Sequence, residues 1–280
     1  MALDQYREEE EDEGMSFLDH LEQLRWHLLR SVAAILVFTV IAFLAKSIVF
    51  GQIILGPSRV DFFTYRMLCK LAEIFNTPVL CINELNFIIQ SRQMTGQFSM
   101  HITSSLVVGI IASFPYIFWE VWRFISPGLY AKERQAARGA VFFVSLLFFL
   151  GTLFGYYILT PISVNFLANY QLDSSIANEF DITSYVGTLS MLVLASAIMF
   201  QLPMVIYFLS MSGLVSAAML KAYRRHSIVV ILILAAVITP PDVISQILIA
   251  MPILVLYEAG IQIAKRLEKK RAQEAVEDND

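Results

Sequence analysis

Residues 114–134 read FPYIFWEVWRFISPGLYAKER, and this stretch indicates where a membrane span reaches the surface. The run 98–119 that leads into it contains no Asp, Glu, Lys or Arg. A helix needs about 20 mostly apolar residues to cross a bilayer, so this run predicts a span. Further on, aromatic residues alternate with charged ones. Aromatic rings settle at headgroup level, whereas charges are costly in hydrocarbon. We therefore expect residues 114–134, called here the interfacial shelf, to lie at the mouth of a span.

The overall composition excludes an ordinary soluble globular protein. Hydrophobic residues make up 57% of the 280-residue chain and charged residues only 16%. The net charge of −4 says little, because the charges are segregated along the chain, and nothing suggests nucleic-acid binding. The start of the chain lacks a basic region followed by an apolar core, so no cleaved signal peptide is expected. Residues 1–15 instead predict a disordered acidic tail.

Six apolar segments predict an all-α polytopic membrane protein with a transmembrane domain over residues 16–264. The predicted spans cover residues 28–54, 98–119, 139–160, 184–211, 226–239 and 243–263. The last two come from one apolar stretch that Thr239-Pro240-Pro241-Asp242 interrupts, and two prolines before a carboxylate favour a turn. Helices 5 and 6 are therefore expected to be short. Residues 265–280 are expected to form a charged cytoplasmic tail, which begins as a basic extension of the sixth helix and ends in an acidic segment.

The distribution of basic residues predicts the orientation. Fifteen of the 20 Lys and Arg residues lie at the chain ends, in the connections on the same side as the ends or, in the case of Arg30, at the start of the first span. The other five lie between Lys46 and Arg92. Because cytoplasmic connections carry the excess of Lys and Arg, both termini are predicted to be cytoplasmic.

The long connection after the first span contains both cysteines of the chain, Cys69 and Cys81. A disulfide is reasonable if this connection faces an oxidising compartment, and two unpaired thiols are an equally weighted alternative. The preceding Gly56-Pro57 is expected to end the first span.

Within the spans, two features could serve packing or function. Gly151 and Gly155 form a G-x-x-x-G pattern, for which packing within the chain is favoured over contact with another protein. Gln201 lies deep in the fourth span. Its amide either packs against a neighbouring helix or faces a wet membrane cavity.

The hairpin between the last two spans carries polar residues at its tip. Asp242 and Gln246 are candidate docking or structural residues, and Asp242 is also a good N-cap for the sixth helix. Glu258 lies about 24 Å further along that helix, which returns it near the cytoplasmic interface.

Three motifs together resemble the TatC family, the multispanning core of the twin-arginine protein translocase. They are HLEQLR at 20–25, FISPGLYAKER at 124–134 and TPPDVISQ at 239–246. The similarity extends from Ser16 to Ala264. It implies a receptor in the bacterial cytoplasmic membrane rather than an enzyme. Such a receptor binds twin-arginine signal peptides of folded cargo at the cytoplasmic face. It assembles with TatA- and TatB-type single-span proteins, with membrane lipid and with further copies of itself, and transport draws on the proton-motive force.

The resemblance also implies which residues bind the signal peptide. The family's signal-binding carboxylate matches Glu133, with Phe124, Tyr130 and Arg134 around it. Two guanidinium groups favour bidentate carboxylates and aromatic faces, which this part of the shelf supplies. Glu120 is expected to assist Glu133.

In the N-terminal motif, Arg25 matches the family but Gln23 occupies the position of a family Glu. Glu22, one residue earlier, either supplies the acidic contact through a slight rotation, or the contact is missing.

Two other classes of membrane protein compete with this interpretation. A small secondary transporter or channel would explain Gln201 and the proline-broken helices, but no internal repeat is evident. An intramembrane protease would need a paired nucleophile and base at matching depths, and no such pair appears. The four histidines are scattered, so neither a metal site nor a cofactor is predicted.

Overall fold

A computed structural model describes most of the chain, and its elements are numbered here in chain order. It describes residues 17–77, 81–82, 84–85, 87–128, 139–173, 175–176, 178–239 and 243–277. The helices are α1 Phe17–Leu44, α2 Phe63–Phe75, α3 Gly96–Ile125, α4 Ala140–Phe154, α5 Thr160–Asn169, α6 Ile182–Met199, α7 Leu202–Met211, α8 Ala217–Ala222, α9 Arg224–Ile238 and α10 Val243–Glu277. The strands are β1 Ile88–Gln90 and β2 Glu179–Asp181. The predicted tail 1–15 lies outside the described residues.

The described chain is an all-helical polytopic membrane protein. Five of its helical runs are long and apolar enough to cross a bilayer. They are Glu22–Leu44, Gly96–Ile125, Ala140–Asn169, Ile182–Met211 and Ser245–Gln273. A π-helical turn joins α4 to α5 in the third run, and the fourth is interrupted between α6 and α7. The fifth predicted helix corresponds to α9, whose 15 residues span roughly 22 Å, less than a hydrocarbon core of about 30 Å.

The prediction of a short sixth helix is wrong. Helix α10 has 35 residues, because the predicted basic extension from residue 265 continues it as far as Glu277. The residues after Ala264 are mostly Lys, Arg, Glu, Ala and Gln, which favour helix, and neither Gly nor Pro interrupts them. Leu267 also packs against the buried Met211 of α7. The apolar stretch therefore marks the end of the span but not the end of the helix.

The first span also departs from the predicted single helix over 28–54. Helix α1 ends at Leu44, and residues Val49–Ile54 form a π-helix. Irregular turns of this kind leave carbonyl groups that need other donors. Tyrosine hydroxyls from elsewhere in the chain supply them. Tyr156 donates to the Ile53 carbonyl at 2.8 Å and Tyr185 to the Ile54 carbonyl at 2.9 Å.

Pro57 lies buried in the next turn, the 3₁₀ segment Gly56–Ser58. The Tyr65 hydroxyl of α2 lies 2.9 Å from the Pro57 carbonyl and 3.0 Å from the Pro161 carbonyl. Burial raises the pKa of this hydroxyl, so it stays protonated and able to donate. Pro57 is therefore part of a buried junction between α2, α5 and the end of the first span.

Two short strands connect the loops at the far end of the bundle, the end opposite the start of α1. Strands β1 and β2 pair in parallel, with Ile88 opposite Glu179. The Arg92 backbone N–H donates to the Asp181 carboxylate at 3.0 Å, and the Arg92 guanidinium lies 3.2 Å from Glu179. The all-α prediction missed this pairing because the three-residue strands are too short to show a periodic pattern.

Cys69 and Cys81 are joined as a disulfide in the structure. The bond connects α2 to the segment that precedes β1. Whether the thiols are oxidised in the cell stays a prediction, which reducing and non-reducing mass spectrometry of the purified protein would test.

The glycines of the G-x-x-x-G pattern pack within the chain, as predicted. A Cβ on Gly151 would lie 2.8 Å from the Ala197 Cα, and one on Gly155 would lie 2.8 Å from the Val193 Cα. Both contacts are with α6. The missing side chains allow α4 and α6 to approach closely.

Candidate functional site

The start of α1 and the end of α3 meet at one end of the bundle, and we call this meeting place the His27 rim. Glu120 of α3 is only 1% exposed there, and its Oε2 lies 2.5 Å from the His27 Nδ1 of α1. The Arg30 guanidinium is 3.9 Å from the same oxygen, and the Tyr116 hydroxyl also hydrogen-bonds this carboxylate. Glu120 therefore joins α1 to α3. It is not an exposed carboxylate that awaits a ligand.

Phe124 lies one turn further along α3, at the same rim. Its ring and the His27 ring make an edge-to-face contact, with centroids 6.1 Å apart. The side chain of Phe124 is half-buried. The sequence-predicted pair Glu120 and Phe124 is thus brought together, with His27 as the residue that connects it to α1.

Helix geometry places Gln23, and not Glu22, on the His27 side of α1. At about 100° per residue, Gln23 is about 40° from His27 around the axis, whereas Glu22 is about 140° away. All of Glu22, Gln23 and Arg25 are exposed. Arg25 lies on the opposite side of α1 from His27. A slight rotation of α1 therefore does not bring Glu22 to the face that carries Gln23.

Three predicted contacts of the shelf, Tyr130, Glu133 and Arg134, lie outside the described residues, as does Asp242. The predicted roles of the three shelf residues are taken up below as proposals, and the docking or structural role of Asp242 stays a prediction.

Gln201 lies where α6 gives way to α7. Its Nε2 donates to the Val144 carbonyl of α4 at 3.2 Å, and its Oε1 is buried without a hydrogen-bond partner in the described part of the chain. The neighbouring Phe200 lines an apolar groove of about 680 Å³ between α2 and α4, together with Phe63, Met67, Leu150, Leu153 and Tyr157. Gln201 is not among the residues that line this groove. That Gln201 faces a membrane cavity stays a prediction.

The other polar residues of the last hairpin make contacts within the chain. Gln246 of α10 donates from Nε2 to the Leu232 carbonyl of α9 at 3.1 Å. Ser245 shares a buried hydrogen bond of 2.8 Å with Ser163 of α5. Glu258 forms an ion pair with Arg224 at the start of α9. Both partners are nearly half exposed, so this pair adds little stability.

Sequence reasoning missed His27 as a site residue. The signal in the sequence was the position of His27 along its span, because His27 and Glu120 both lie near the same end of the first two spans. A carboxylate buried there needs a hydrogen-bonding partner, and His27 could supply it. Their separation of 93 residues along the chain hid the pairing.

The chain matches the family model for the Sec-independent protein translocase protein TatC over residues 19–252. The chain belongs to the TatC family. The TatC protein of Blattabacterium sp. subsp. Periplaneta americana is 40% identical over 263 residues, which cover 93% of this chain and 99% of the relative. The TatCy protein of Bacillus subtilis is 30% identical and the alignment covers 95% of both chains.

Solved structures agree with this membership. A crystal structure of the twin arginine translocase receptor TatC is 29% identical, with a TM-score of 0.64, and covers 89% of this chain and 99% of that chain. A second such structure, in DDM, is 30% identical, with a TM-score of 0.69 and coverages of 88% and 99%. The protein is therefore a TatC subunit of the bacterial Tat system, a multi-pass membrane protein that takes part in protein transport and is not an enzyme.

Proposed function

We propose that this TatC subunit is the receptor that binds twin-arginine signal peptides at the cytoplasmic face and supports export of folded proteins driven by the proton-motive force. In this proposal the chain crosses the bacterial cytoplasmic membrane six times, with α9 as a short fifth span and both termini inside. The excess of Lys and Arg on one side supports this orientation. Family membership leaves the secondary transporter, channel and protease alternatives without support.

The observation that carries the proposal is the meeting of α1 and α3 at the His27 rim. Contacts of Glu120 and Phe124 with His27 hold the N-terminal motif against the interfacial shelf. The chain leaves α3 beside Phe124 and enters α4 at Ala140, and Glu133 lies on the connection between them. Glu133 is proposed as the main contact of the twin arginines, with Phe124, Tyr130 and Arg134 around it. Glu120 then positions the rim instead of touching the peptide.

We expect Glu133→Ala to weaken binding of a twin-arginine peptide about tenfold to a hundredfold. A hydrogen bond to a charged group contributes about 1.5–3 kcal/mol. Fluorescence anisotropy of a labelled peptide with the full-length protein in nanodiscs measures this. A twin-lysine peptide should bind the wild type less well, because Lys lacks the planar fork of Arg.

The matched control is Glu73→Ala, which removes an exposed carboxylate from α2 at the far end. It should bind the twin-arginine peptide like the wild type. Wild-type affinity in Glu133→Ala would reject Glu133 as the main contact. Equal affinity for the two peptides would reject the receptor function itself.

We also propose that α9 is a docking edge for TatA- or TatB-type spans. Val229, Ile233 and Val237 form a stripe along α9, and each is more than half exposed. Replacing all three with Ala removes packing surface, on which helix association in a membrane depends. Co-purified partner should fall about fivefold, whereas Val37, Val40 and Leu44 of α1, equally exposed, should tolerate the same change. Unchanged co-purification would contradict the docking edge.

A further inference from the structure

The outer surface of the α1–α3 pair at the His27 rim combines cationic and aromatic side chains. Tyr116, Trp119 and Arg123 follow one another along α3 at spacings of three and four residues, which places them on one face of the helix. All three are exposed. From α1, Trp26 and Arg30 are one turn apart and are 53% and 49% exposed. We call this set the Arg30–Arg123 surface.

Contacts between neighbouring side chains connect the two guanidinium groups of this surface. Arg30 lies 3.9 Å from the Glu120 carboxylate, which the Tyr116 hydroxyl also hydrogen-bonds, and the Tyr116 and Trp119 ring centroids are 5.6 Å apart. The Arg123 guanidinium also stacks over the Trp119 ring, 5.0 Å from its centroid. One cation from each helix therefore borders the same group of side chains, Glu120, Tyr116 and Trp119.

Among the described residues, no exposed carboxylate forms an ion pair with this surface. The acidic neighbour of Arg30 is Glu120, which is 1% exposed and already engaged by His27 and Tyr116. Among the described residues, no carboxylate forms an ion pair with Arg123. The surface thus presents positive charge outward, at the depth where a span ends and lipid headgroups begin.

We infer that the Arg30–Arg123 surface binds the phosphate of an anionic phospholipid. Guanidinium groups match phosphate oxygens with paired hydrogen bonds, and indole rings settle at the headgroup level where that phosphate lies. An apolar partner helix would leave Arg123, which forms no ion pair with a described carboxylate, without a counter-charge in a low-dielectric contact, which is costly. This inference goes beyond signal-peptide binding, and no signal peptide is needed to test it.

Trp119 provides the probe for the test. The chain has three tryptophans, so Trp26→Phe with Trp122→Phe leaves Trp119 as the single indole. This full-length variant is placed in nanodiscs that contain increasing mole fractions of brominated phosphatidylglycerol or brominated phosphatidylcholine. Half-maximal quenching should need about fivefold less of the anionic lipid, a preference that matches the attraction of a cation near an anionic surface.

In this single-tryptophan protein, the further changes Arg30→Gln and Arg123→Gln should abolish the preference for phosphatidylglycerol. The control is Arg225→Gln, which removes an exposed cation at the start of α9 and should leave the preference intact. The melting temperature of each variant checks that it is folded. Equal quenching by the two lipids in the parent protein would overturn the inference, as would a preference that survives the double replacement. Absence of quenching by either lipid would show that a second copy of the chain covers the surface, and would also overturn it.

Discussion

His27→Ala is expected to destabilise the folded protein by about 3 kcal/mol, because a buried charged group that loses its hydrogen-bonding partner costs about this much. The change leaves the Glu120 carboxylate enclosed without its nearest partner, which lies 2.5 Å away in the structure. Arg30, at 3.9 Å, and Tyr116 compensate only in part. Equilibrium unfolding in mixed SDS micelles, followed by circular dichroism, measures the loss.

Two further variants distinguish the loss of the His27–Glu120 contact from a general destabilisation of the His27 rim. Arg30→Gln removes a half-exposed and more distant partner, so it should cost less than about 1 kcal/mol. Combining His27→Leu with Glu120→Met removes both polar groups, and it should recover much of the lost stability, because a buried pair can often be exchanged for apolar side chains. If His27→Ala were as stable as Arg30→Gln, the close contact would have no special role.

The same variants separate positioning from direct binding at Glu120. If Glu120 contacts the twin arginines, the apolar double variant should stay defective in peptide binding even when its stability recovers. If Glu120 only holds α1 against α3, peptide affinity should recover together with stability. The burial of its side chain favours the second outcome.

Gly109→Leu is the second change expected to have a large effect, about 3 kcal/mol of destabilisation or failure to assemble. A Cβ at position 109 would overlap the Thr39 Oγ1 and would lie 2.9 Å from the Thr39 Cα. Overpacking typically costs about 1–3 kcal/mol when side chains can adjust. At position 109 the Cβ would also meet backbone atoms of Thr39, which cannot move aside as a side chain can. Helices α1 and α3 would therefore have to move apart along their shared interface.

Gly187→Leu is the matched control for this prediction. Gly187 also lies inside a helix, α6, but a Cβ there would meet no atom within 4 Å. Leu has the better helix propensity, so this variant should be as stable as the wild type or more stable. The same SDS unfolding assay compares the two. Equal stabilities for the two leucine variants would show that α1 and α3 do not pack as tightly in the membrane as the structure indicates.

The His27–Glu120 contact and the close approach of Gly109 to Thr39 show why only part of the site could be predicted from the sequence. The shelf, the apolar runs and the family motifs pointed to Glu120, Phe124 and the N-terminal motif, because aromatic and charged residues at the end of a span leave a local pattern. The sequence did not indicate that Glu120 is enclosed. Nor did it show that Gln23, rather than Glu22, shares a face with His27, since that requires knowing which side of α1 meets α3.

Among the helices too, some features could be predicted from the sequence and others required the tertiary structure. Local composition was enough to predict the spans, because a span is recognised by the length of its apolar run. It was also enough to predict the break before the last helix, because proline restricts the backbone of the residues next to it. The basic extension of the last helix also followed from local composition, whereas the irregular end of the first span and the β1–β2 pairing needed the tertiary structure. In both of these cases distant groups complete the hydrogen bonds: the Tyr185 hydroxyl donates to the Ile54 carbonyl, and Ile88 pairs with Glu179. By itself the sequence determined which segments enter the lipid, because transfer into hydrocarbon depends on each segment's own side chains. Only the tertiary structure decided which polar groups face one another, because every buried donor and acceptor must find its partner in space.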